Sequence, residues 1–119
     1  MKIEHTALYA RDLEAMKDFF ETWFGCISGE LYHNPRTGFS SYFLRFDEGS
    51  RLEIMHWDDI DQDPGREHLG LVHLCLSVGS KREWMNWQKS CPMPDIPCPP
   101  VPEPRETAIM KPRSMAPNT

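Results

Sequence analysis

Apolar and polar positions alternate along the start of the chain in a way that predicts a strand followed at once by a helix, over Lys2 to Gly25 (KIEHTALYARDLEAMKDFFETWFG). The alternation over Ile3 to Tyr9 sets His5, Ala7 and Tyr9 on one face of a strand. Asp12 then stands at a helix N-cap position. Leu13, Met16, Phe19, Phe20 and Trp23 follow the 3.6-residue period, and Gly25 supplies the stop. A weaker strand pattern covers Ile27 to Tyr32, and Asn34-Pro35-Arg36-Thr37-Gly38 reads as a turn. Phe39 to Phe46 is a stronger strand, rich in Tyr and Phe, closed by a hairpin turn over Asp47 to Ser50. The next strand, Arg51 to His56, places Leu52, Ile54 and His56 on one face and Arg51, Glu53 and Met55 on the other. The first 56 residues therefore read β-α-β-β-β.

Residues 57–69 are polar, acidic and broken by Pro64-Gly65, as a solvated linker would be. Gly70 to Gly79 (GLVHLCLSVG) then reads as a second clean strand, with Leu71, His73 and Cys75 on one face, and a helix is expected from near Ser80. Residues 81–90 carry a little over two turns of it. Beyond, residues 91–119 hold 9 of the 11 prolines. Proline removes backbone donors, so this tail is expected to be irregular.

Composition narrows the function classes. A chain of 119 residues makes one core, and its net charge of −5 lacks the clustered Lys and Arg of a nucleic-acid footprint. No apolar run nears the ~20 residues that span a bilayer, and no secretory signal pattern opens the chain. Cys26, Cys75, Cys91 and Cys98 show no Cys-x-x-Cys spacing, which favours reduced thiols in a cytoplasmic protein.

Three residues are candidates for chemistry: His5, Glu53 and His73, each on a predicted strand. Imidazole and carboxylate donors suit Zn, Ni, Fe or Mn rather than Ca or Mg. The same residues also admit a plainer reading, a hydrogen-bonded strand histidine and a solvated strand carboxylate. His33, His56 and His68 read as structural or solvated, and Phe19, Phe20 and Trp23 as core.

IEHTALYARDLEAMKDFFETWFG, FSSYFLRFDEGSRLEIM and HLGLVHLCLSVGS, in that order, resemble the vicinal oxygen chelate superfamily of glyoxalases, bleomycin resistance proteins and extradiol dioxygenases. Within it the spacing is most similar to bacterial glyoxalase I. The resemblance implies an α+β fold: one βαβββ module of glyoxalase type, followed by the first strand and part of the helix of a second. It implies a divalent metal held by His5, Glu53 and His73, with Glu53 also the candidate catalytic base, a small-molecule substrate and a homodimer. The activity implied is that of a metal-dependent lyase or isomerase acting on a small carbonyl compound or a glutathione hemithioacetal. The alternative is a metal-free binding module or an inactive remnant. The family's fourth ligand, a glutamate on the last strand of the second module, has no counterpart here. Glu103 and Glu106 lie among prolines and match no ligand position.

One reading accounts for the tail. If the third base of each codon is joined to the first two of the next, Trp84-Met85, Met85-Asn86, Asn86-Trp87 and Trp87-Gln88 give Asp-Glu-Leu-Ala whatever codons are used. The same shift permits DAGY from Pro92 to Ile96 and TTGDGYYE from Glu103 to Lys111, strings that resemble the rest of a second module. The second module is thus expected to be truncated or frameshifted from about Glu83.

Overall fold

A computed structural model describes residues 1–63, 65 and 67–90, and the backbone of 107–110. The chain divides into two compact units, Met1–Asp63 and Pro64–Thr119, with the division inside the acidic linker.

The first unit is a helix on one face of a mixed sheet. Strand β1 (His5–Tyr9) leads into helix α1 (Leu13–Phe24), then β2 (Ile27–Ser28), β3 (Tyr32–Asn34), β4 (Phe39–Arg45) and β5 (Arg51–Trp57). The sheet runs β1-β5-β4-β2, with β3 also paired to β4. Strand β1 lies parallel to β5, because α1 carries the chain back across the sheet, and the other pairs are antiparallel. This is the βαβββ module, and the fold class is α+β.

Local chemistry explains α1. Asp12 is extended and its Oδ1 accepts a 2.9 Å hydrogen bond from the Ala15 amide. Gly25 ends the helix in the left-handed region at φ 63°, donating its amide to the Glu21 carbonyl at 3.2 Å. The helix buries Leu13 and Phe20 against Tyr42 and Leu44 of β4 and Leu52 and Ile54 of β5. Leu44 and Ile54 are fully buried, so truncating either to alanine removes contacts worth about 2–5 kcal/mol. Phe19, Phe20 and Phe24 pack ring on ring beside them, with centroids 5.4–5.7 Å apart.

The strand expected over Ile27 to Tyr32 is split. Ser28 pairs with Leu44 and Tyr32 with Ser41, so four steps on this side match three on β4. The extra residue is accommodated as a bulge around Gly29, whose amide still reaches the Phe43 carbonyl at 2.9 Å.

The second unit contains β6 (Leu76–Ser80), α2 (Lys81–Ser90) and β7 (Thr107–Met110). Helix α2 opens on a capping box: the Glu83 carboxylate accepts from the Ser80 amide at 2.6 Å, and the Ser80 hydroxyl accepts from the Glu83 amide at 3.3 Å. Two expectations are corrected here. The strand expected from Gly70 begins only at Leu76, where the antiparallel ladder with β7 begins opposite Met110. Alternation states which face a residue takes once a partner is present, but not where the partner lies. Leu71 and Val72 remain exposed. The tail is not irregular throughout, because Thr107–Met110 forms β7. Those four residues contain no proline, so their amides are free to enter a ladder. The remainder of 91–119, with Cys91, Cys98, Glu103 and Glu106, lies outside the described residues. No helix among the described residues is long and apolar enough to cross a membrane.

Candidate functional site

Alternation along the strands gives the first unit two unlike faces. Leu52, Ile54, Tyr42 and Leu44 point to α1, and their neighbours point away from it. His56, on the helix side, donates from Nδ1 to the Ala10 carbonyl at 2.8 Å. His33 meets the Ser40 hydroxyl at 2.8 Å, and His68 Nε2 lies 3.1 Å from the Leu71 carbonyl in the second unit. These are structural contacts, in keeping with the reading of all three.

The side of the sheet away from α1 carries the candidate chemistry. In the β1–β5 register His5 lies opposite Arg51 and Ala7 opposite Glu53, so His5 and Glu53 are diagonal neighbours on one face. Their side chains meet, with His5 Nε2 at 3.9 Å from Glu53 Oε2. Glu53 is well covered, at 15% side-chain exposure, between Ala7 on β1 and Phe43 on β4, whereas His5 is 41% exposed. A carboxylate sheltered on a sheet and facing a half-exposed imidazole is a pair able to share a cation or to move a proton.

A family model described as the Glyoxalase/Bleomycin resistance protein/Dioxygenase superfamily matches residues 2–89, well over half of the chain. The chain belongs to that superfamily. No curated protein matches the chain in a sequence search. For this superfamily member, the match spans both units and ends within α2.

The third candidate of this superfamily chain, His73, lies in the second unit, exposed and outside β6. Among the described residues no group of three His, Cys, Asp or Glu side chains stands ready to hold a metal ion.

Two residues beside the pair escaped the sequence reading. The Glu4 carboxylate contacts His5 Nδ1 through Oε2 and accepts from Arg51 Nε at 2.6 Å through Oε1. These hydrogen bonds, from Arg51 first and His5 second, hold the Glu4 carboxyl down at about 2. Arg51 also lies over the Phe43 ring, 4.2 Å from its centroid, and Phe43 meets the His5 ring edge-on at 5.2 Å. Neighbours in a strand take opposite faces, which hid Glu4. It precedes β1, so the pleat does not bind it. An acid directly before a strand histidine, with an arginine opposite that histidine in register, is the signal that was there to find.

Proposed function

We propose that the chain is a glyoxalase-type lyase or isomerase, of the lineage most similar to bacterial glyoxalase I, acting on a small carbonyl compound or a glutathione hemithioacetal. The observation that supports this most directly is the approach of His5 Nε2 to Glu53 Oε2, 3.9 Å apart on one face of a βαβββ sheet. An imidazole nitrogen and a carboxylate oxygen form the donor chemistry that fits Zn, Ni, Mn or Fe. His5, Glu53 and His73 would hold the ion, with the remaining donors coming from a second copy of the chain in a homodimer.

The ion, when bound, supplies Lewis-acid polarisation of the substrate's carbonyl. The rest falls to side chains. Glu53, sheltered from water, takes the proton from one carbon and returns it to the adjacent one. His5 keeps its Nε2 edge toward Glu53. The incomplete second module impairs this activity.

A second reading, a metal-free small-molecule-binding module or inactive remnant, is favoured by the two-donor count in the first unit. Calorimetry with Ni and Zn on the full chain separates the two. Stoichiometric binding that is lost in His5→Ala, Glu53→Ala and His73→Ala is the expected result. Absent binding, or binding indifferent to all three substitutions, would leave only the second reading.

A further inference from the structure

We infer that Glu4 is a positioning residue for His5: together with Arg51 it fixes the imidazole as its Nδ1–H tautomer, so that the Nε2 lone pair is the one presented toward Glu53. The inference deepens the metal-ligand reading of His5 and takes its functional meaning from it.

The argument starts from donor and acceptor capacity. An ionised carboxylate only accepts hydrogen bonds, so an imidazole nitrogen that contacts one must carry the hydrogen. Glu4 Oε2 contacts His5 Nδ1, which makes Nδ1 the protonated nitrogen of the neutral ring and leaves Nε2 with the lone pair. The other ring edge is the one that faces Glu53 Oε2 at 3.9 Å.

Glu4 is itself held from several sides. Its Oε1 accepts from Arg51 Nε at 2.6 Å. Its carbonyl accepts from the Arg51 amide at 2.9 Å, and the Ser50 hydroxyl donates to the preceding Ile3 carbonyl at 2.5 Å. The segment before β1 is therefore tied to the start of β5. Arg51 in turn is stacked on Phe43, and Phe43 abuts the His5 ring. Glu4, His5, Phe43 and Arg51 close a ring in which each side chain is supported by two others. The Arg51 charge, which alone would repel a cation at His5, is matched by the carboxylate between them. Carboxylate partners of this kind set the tautomer and basicity of metal-binding histidines.

The test is long-range proton–nitrogen NMR of the metal-free full chain with labelled histidine, at a pH where the imidazoles are neutral. His5 is expected as the Nδ1–H tautomer, unlike exposed His73, which serves as the internal reference. Glu4→Ala should move His5 to the pattern of His73 while the amide spectrum stays dispersed, and Glu4→Asp, which keeps a carboxylate, should restore the original signature. Ni affinity should fall about 10–100-fold in Glu4→Ala, with unchanged stoichiometry. An Nε2–H tautomer in the unaltered chain, or a His5 signature unmoved by Glu4→Ala, overturns the inference even if Ni binds. A tautomer change in a chain that binds no Ni upholds the positioning role and overturns the metal-dependent reading instead.

Discussion

Tyr42 shows how one side chain joins the helix to the sheet. Its hydroxyl donates to Glu14 Oε1 at 2.6 Å, while Lys17 Nζ lies 3.1 Å from Glu14 Oε2 and 5.2 Å from the Tyr42 ring centroid. The Tyr42 hydrogen bond first, and Lys17 second, hold the Glu14 carboxyl below its ordinary 4.5. Glu21 is lowered in the same way by Ser28. A carboxylate whose folded value is depressed stabilises the native state above its unfolded value, and that contribution is lost as the pH falls through the folded value. The melting temperature is therefore expected to be level just above 4.5 and to decline as the pH drops below it, with the decline continuing toward the Glu4 value of about 2. Melting curves across this range check the sign. In Tyr42→Phe the acid-side decline should become shallower, because Glu14 loses the main cause of its depression; an unchanged slope would mean that the Glu14 contact is not maintained in solution.

Elements that carry their own start and stop signals are the ones legible from sequence. Asp12 and Gly25 bracket α1, and Asn34 to Gly38 closes the turn between β3 and β4. Because Asp12 caps the Ala15 amide, Asp12→Ala is expected to cost about 1 kcal/mol. A drop of roughly 4–8 °C in melting temperature checks this. Elements that depend on a distant partner are not legible in this way. The extra residue near Gly29 shows only when counted against β4, and the length of β6 is set by β7, which lies beyond a proline-rich stretch. The candidate site divides along the same line. Alternation alone put His5 on one face of β1 and Glu53 on one face of β5, and the parallel register makes them neighbours. Glu4 and Arg51 were not legible as a pair, since their contact joins the segment before β1 to the start of β5, 47 residues on.

At the scale of the molecule the two units are unequally built. The first has a helix, a full sheet and a buried core, whereas the described part of the second buries no residue of α2. Tyr9, Tyr32 and Trp57 stand exposed on the first unit, and exposed apolar surface of this kind favours association. We propose a cause: Ser80 and Glu83 still form a capping box, the family match of the translated chain stops at residue 89, and the frame shifted from about Glu83 yields strings that resemble the rest of a second module. Asp-Glu-Leu-Ala follows from Trp84 to Gln88 without any freedom of codon choice, so that part of the resemblance does not come from selecting among codons. The nucleotide sequence of the gene is therefore expected to hold one continuous shifted frame from Glu83 through the codons of Met110 and Lys111. A stop within that shifted frame refutes the explanation and makes the proline-rich segment native. If the frame is open, the protein made from it should melt at a higher temperature and more cooperatively than the present chain, because a second module restored to family pattern has strands with which to pair β6 and apolar positions with which to bury α2.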